Sequence, residues 1–234
     1  MRTTIEVCVA GLEEAVVAAA QGAERIEVCA WPESGGVTPS IGLVRAVVQA
    51  TGLPVRVLVR PAPGRFDHGP HHNTVILRDV EALAREPGVQ GVVAGTLTAE
   101  GMPDKALMQQ VIAAADGREV TFHRAIDHAA DPLEALAVCL ELGVQRVLTA
   151  GGPKRAIDGW AMVRAMVHAA GDRLLVAAGG GVAADHVARL VELTGVREVH
   201  FSARRPAAPG PWDTAPDPDK TAAIIAALRN AAPR

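Results

Sequence analysis

The sequence predicts an α/β fold, a single (β/α)8 TIM barrel with parallel strands, and three observations lead there. Short Val- and Ile-rich runs alternate with Ala- and Leu-rich helical stretches eight times along 234 residues. Strict alternation of that kind implies a parallel sheet, and eight repeats imply closure. Hydrophobic residues make up 49% of the chain but aromatics only 3%, so the core must be built from Val, Leu, Ile and Ala, as in parallel strands covered by helices. The length approaches the ~250 residues of such a barrel, and no linker interrupts it, so residues 1–234 read as one domain. An open doubly wound sheet is the alternative for the same alternation.

The elements follow in order. Strand one is Thr4–Val9; an Ala/Val-rich helix then runs through Gln21 and closes at Gly22. Strand two is Arg25–Ala30, followed by a long loop to Ser40, where Thr38 or Ser40 caps a helix with Pro39 in its first turn. That helix runs to about Ala50 and stops at Gly52. Strand three is Pro54–Arg60, and residues 61–70, with three prolines and two glycines, read as irregular before a helix from about Asn73 to Arg85. Strand four is Gln90–Ala94, with the next helix capped by Asp104 and ending near Ala115. Strand five opens the stretch Glu119-Val-Thr-Phe-His-Arg-Ala-Ile-Asp127, and Asp131-Pro132 starts a helix that ends at Gly143. Strand six, Gln145–Thr149, leads to a glycine turn and a helix over Lys154–Ala170. Strand seven, Arg173–Ala177, leads to Gly179-Gly180-Gly181, read as opening a helix through Leu193. Strand eight is Arg197–Ser202, and a Pro-rich connection, 206–218, precedes a last helix to about Asn230.

Composition narrows the function classes. A net charge of −3 leaves no basic footprint for nucleic acid. No apolar run approaches the ~20 residues of a membrane span, and Met1 leads straight into a strand, which leaves no room for a signal peptide. Cys8, Cys29 and Cys139 are an odd number without CxxC spacing, which argues against a disulfide framework and for a reducing cytoplasm.

Strand side chains alternate between faces. The Val and Ile set should meet the helices, which turns the polar set into the barrel. This places Glu6 and Cys8, Glu27 and Cys29, Arg60, Thr121 and His123, and Glu198, His200 and Ser202 inside. Buried carboxylates need partners, and Arg60, His123 and His200 are the cations expected to serve Glu6 and Glu27. Because chemistry gathers at the C-terminal ends of barrel strands, Glu6, Glu27, His123 and Asp127 are the candidate acid/base groups. Arg60, Arg124, Thr149, Gly179, Gly180, Gly181, His200 and Ser202 are the candidate anion-binding set, with Arg204 and Arg205 after strand eight adding charge. His68, His71 and His72 form a short loop tract, read as solvated, and Cys139 reads as core.

The repeated Ile-Glu-Val-Cys at 5–8 and 26–29 resembles the copper homeostasis protein CutC family. So do Glu33-x-Gly35-Gly36-x-Thr38-Pro39-Ser40, Arg60-Pro61, Thr121-Phe-His-Arg-Ala-Ile-Asp127, Arg146-Val-Leu-Thr-Ala-Gly151, Gly179-Gly-Gly-Val182 and Glu198-Val-His-Phe-Ser-Ala203. The resemblance implies a TIM barrel, a cytoplasmic location, a role in copper homeostasis, and Cu(I) at Cys8 and Cys29. The chain departs from the family's pattern after Arg60-Pro61, where Ala62 and Arg65 replace the usual Arg and Asp.

Thiolates on neighbouring strands ~4.8 Å apart suit Cu(I). Zn(II) is expected to bind poorly, for want of a third ligand nearby. The rival reading is an enzyme acting on a small carboxylate or phosphate at the mouth, and a third is a binding protein without turnover. Trp31 and Trp160, at or near loop ends, suggest a homodimer or higher homo-oligomer.

Overall fold

A computed structural model describes residues 2–152, 154–205 and 216–230. Eight strands form one closed, all-parallel barrel in chain order. They are β1 (Thr4–Val9), β2 (Arg25–Val28), β3 (Val55–Leu58), β4 (Val89–Ala94), β5 (Glu119–Phe122), β6 (Arg146–Thr149), β7 (Leu175–Gly179) and β8 (Glu198–Ser202). Closure is direct: β1 pairs with β8 from Thr4↔Glu198 to Cys8↔Ser202. One register shift, between Val55 and Arg56, interrupts β3 against β4. Gly91 is required beside it, because a Cβ there would lie 2.5 Å from the Glu119 carbonyl oxygen.

The helices are α1 (Leu12–Gln21), α2 (Ile41–Thr51), α3 (Pro70–Ala84), α4 (Lys105–Ala114), α5 (Pro132–Leu142), α6 (Trp160–Ala170), α7 (Val187–Thr194) and α8 (Pro218–Asn230). Side-chain oxygens of Ser40, Asp104 and Asp131 accept the first free amides of α2, α4 and α5. The core lies between barrel and helices. Ile5, Val7, Ile26, Val28, Val55, Val57, Val120, Phe122, Val147 and Val199 face it and are almost wholly buried, as the alternation requires.

Several local expectations change. Ser40 is the cap of α2, so Pro39 precedes the helix instead of lying in its first turn. α3 begins at Pro70, inside the stretch expected to be irregular, because proline is well suited to a position without an intrahelical N–H bond. α6 begins at Trp160, not Lys154; residues 155–159 form turns whose amides bond to Arg155, Ala156 and Gly180 carbonyls. Gly179 closes β7 and α7 starts only at Val187, so the glycine run does not open that helix. Trp160 packs against the core, whereas Trp31 is 59% exposed. Most of the Pro-rich connection, 206–215, lies outside the described residues.

Candidate functional site

The barrel interior is layered. Deepest is a charge network that strand alternation builds from residues distant in the chain. Glu6 accepts from Arg146 Nη2 (2.5 Å), Arg56 Nη1 (2.8 Å) and His200 Nδ1 (2.8 Å). Glu198 meets Arg25 Nη1 (2.5 Å), Arg146 Nη2 and Arg56 Nη1, and Glu119 takes the outer edge of Arg56. Burial opposes the Glu6 carboxylate, but Arg146, His200 and Arg56 outweigh it and hold its pKa well below the carboxylate range. Burial likewise opposes a charged His200, yet Glu27 and the hydrogen-bonded Glu6 raise its pKa.

Glu6 therefore does not rely on Arg60 or His123, as the sequence reading expected. Of those three cations only His200 reaches it, and Arg56 and Arg146 do the rest. The alternation that turns Val55, Val57 and Val147 outward also turns Arg56 and Arg146 inward, so the strand pattern carries the signal for both arginines. Arg60 is held elsewhere. Its Nη atoms donate to the carbonyls of Ser34, Gly36 and Gly64, and its guanidinium lies 4.7 Å from the Phe66 ring centre.

Above this network opens a cavity of about 420 Å³ at the C-terminal end of the barrel. Cys8 on β1 and Cys29, the residue that follows β2, bring their sulfurs to 3.6 Å as free thiols. The contact with Cys29, then burial, then Glu27 push the Cys8 thiol well above its usual pKa. Ligand atoms of Cys8, Glu27 and His200 all lie within 4.8 Å of one another. The expectation that no third metal ligand stands near the cysteines is thereby overturned, because β8 closes against β1 and delivers His200 there. Glu27 is buried and its carboxyl is shifted up, chiefly by burial.

His123 enters the cavity from β5. It caps the short 3-10 turn Arg124–His128 by accepting the Ala125 N–H at Nδ1 (3.1 Å). Burial, reinforced by the Arg60 charge, pushes its pKa down to about 3, so the ring is neutral. No carboxylate pairs with it among the described residues. The imidazole–carboxylate partnership expected of His123 belongs to His200.

The remaining candidates divide. Arg124, Gly180, Gly181, His200 and Ser202 line the cavity. Asp127 and Thr149 are committed to the neighbouring loop: Asp127 accepts from Arg124 Nε (2.7 Å), Thr149 Oγ1 (2.5 Å) and the amides of Ala150 and Gly152. Asp127 thus positions Arg124 and the turn after β6. Gly179 packs beneath, where a Cβ would meet Leu148 at 2.7 Å. Sequence reading missed three contributors. Phe66 stands edge-on to His123 at 5.1 Å between ring centres. Gly95 leaves room for that imidazole, since a Cβ would fall 2.5 Å from its Nδ1. Lys220 of α8 reaches the cavity and donates to the Arg204 carbonyl (2.9 Å).

Comparison with known proteins agrees with this architecture. Residues 3–205 match the family model described as the CutC family. A CutC family protein of Histophilus somni is 38% identical over 200 residues, covering 86% of this chain and 82% of that protein. A human protein named copper homeostasis protein cutC homolog is 40% identical over 200 residues, covering 86% and 73%. A crystal structure of a copper homeostasis protein CutC from Streptococcus agalactiae superposes with a TM-score of 0.79 at 26% identity, covering 85% of this chain and 98% of that one. Phosphoribosyl anthranilate isomerase of Thermotoga maritima, at 13% identity and a TM-score of 0.60, covering 97% and 98%, shares the fold alone.

Proposed function

Because this chain belongs to the CutC family, we propose that it handles copper in the cytoplasm and binds Cu(I) through Cys8 and Cys29 in the barrel mouth. The observation that carries the reading is the pair of free thiols, 3.6 Å apart at the ends of the adjacent strands β1 and β2 and bordering an open cavity. Two sulfurs that close form a soft donor pair of the type Cu(I) prefers. Free cysteines suit a reducing compartment. The names of the human and streptococcal relatives refer to copper homeostasis. Both thiols must give up their protons to bind a metal. The raised Cys8 pKa therefore makes uptake weaken as pH falls.

The test is a Cu(I) titration of reduced protein against a chromogenic Cu(I) chelator. A single equivalent should bind, and the double variant Cys8→Ser, Cys29→Ser should bind none. Unchanged stoichiometry in that variant would overturn the reading. Zn(II), which accepts nitrogen and oxygen donors beside sulfur, is the competitor that Glu27 and His200 admit, and Cu(I) should displace it.

A further inference from the structure

Four residues that line the cavity each carry a buried polar atom with no hydrogen-bond partner among the described residues: Glu27 Oε2, Arg60 Nε, His123 Nε2 and Arg204 Nη1. Buried polar groups in folded proteins are almost always paired. A cluster of unpaired ones around one cavity is complementary to something that can enter it. Three of these atoms donate and one, on a carboxyl group, accepts.

Each donor is held in place by its own bonds. The Ala125 N–H occupies His123 Nδ1, so the ring proton of the neutral imidazole sits on Nε2. Gly95 allows the ring to lie where it does. Arg60 has both Nη atoms tied to loop carbonyls, leaving Nε over. Arg204 donates from Nε to Ser202 Oγ (3.2 Å), and its Nη1 has only Glu33 Oε1 at 3.9 Å. Charge favours an anion: Arg60 and Lys220 line the cavity with Arg124, which is paired with Asp127 (2.7 Å), and Arg204, which lies 3.7 Å from Glu14 and 3.9 Å from Glu33, against the Glu27 carboxyl with His200 beside it. The volume, about 420 Å³, falls in the range of small-molecule sites. Phe66 lies against both His123 and Arg60.

We propose that the barrel mouth binds a small anion that also carries a hydroxyl group, its charged oxygens taking the protons of His123 Nε2, Arg60 Nε and Arg204 Nη1 and its hydroxyl donating to Glu27 Oε2. This goes beyond copper handling and needs no metal. Carboxylate and phosphate oxygens would satisfy the same donors, so both are tested. Isothermal titration of the full chain, freed of metal and kept reduced, uses D-glycerate and glycerol 3-phosphate as probes. Acetate supplies the charge without the hydroxyl, and glycerol the hydroxyls without the charge. Saturable binding below about 10 mM is expected for at least one probe, weaker binding for acetate, and none for glycerol. Which probe wins identifies the anionic group. His123→Phe keeps a ring and removes both nitrogens, and should weaken binding roughly ten- to hundredfold. On the unaltered protein, the His123 imidazole resonances should move with the same saturation curve, a reading that survives even if the variant fails to fold. Failure of both probes to bind, equal binding of glycerol, unmoved His123 resonances or undiminished affinity in a folded His123→Phe would each overturn the proposal. Because the protein is metal-free, such a failure leaves the Cu(I) titration to stand or fall separately.

Discussion

Replacing Glu6 by Gln removes one negative charge from the deepest layer of the barrel without changing the side chain's shape. Its two oxygens serve three groups: Oε1 accepts from Arg146 Nη2 at 2.5 Å and His200 Nδ1 at 2.8 Å, and Oε2 from Arg56 Nη1 at 2.8 Å. Glu6 itself is fully buried, and the Arg56 and Arg146 side chains are only 3% and 2% exposed. In the variant both guanidiniums share Glu198, which Arg25 also draws on, and Arg56 retains the half-exposed Glu119. The Gln amide turns a donor toward a neighbour that is itself a donor. Breaking a buried pair while leaving its cation in place costs about 3–5 kcal/mol, which in a chain of this size lowers Tm by roughly 6–20 °C. Thermal and urea unfolding near neutral pH measure it.

The pH dependence supplies a second check on Glu6. Its folded pKa lies below the ordinary value of 4.5. Its contribution is therefore fully present above that value and is lost as pH falls through the folded pKa. The gap between wild type and Glu6→Gln should narrow in acid. His200, whose raised pKa depends partly on Glu6, should titrate lower in the variant. A loss under ~1 kcal/mol, or a gap that widens in acid, would refute the assignment of Glu6 as the anchor of this network.

Two further outcomes are expected. Gly95→Ala places a methyl group 2.5 Å from His123 Nδ1; it should displace the imidazole, shift its NMR resonances and weaken anion binding about as far as His123→Phe, whereas unchanged resonances would remove Gly95 from the site. Trp31, 59% exposed and next in the chain to Pro32, which lines the cavity, is the aromatic surface on which we expect self-association: light scattering at micromolar concentration should give a dimer mass or higher, Trp31→Ser should lower it, and a monomer mass for the unaltered chain would end the idea.

What the sequence determined by itself is the barrel and the inward set. Alternation along a strand is local, with a period of two residues. Burying Ile5 and Val7, or Ile26 and Val28, against helices therefore turned Glu6, Cys8, Glu27 and Cys29 inward without reference to any other part of the chain. The same rule, applied to β3 and β6, would have found Arg56 and Arg146. Pairing inside the barrel is a different kind of information. Glu6 meets Arg146 across 140 positions and His200 across 194, and those contacts depend on which strands face each other and at what height once the sheet closes. His200 and not His123 receives the carboxylate because β8 closes on β1, in register Glu6↔His200, while β5 stands on the far side among Phe66, Gly95 and the Arg60 charge. The three loop carbonyls that hold the Arg60 Nη atoms, leaving its Nε over, are likewise decided by the tertiary structure, because a backbone carbonyl carries no sequence signal. Only the tertiary structure decides which ionisable groups in a closed barrel neutralise one another and which are left facing the cavity, because burial makes every unpaired charge costly and closure alone sets who is within reach.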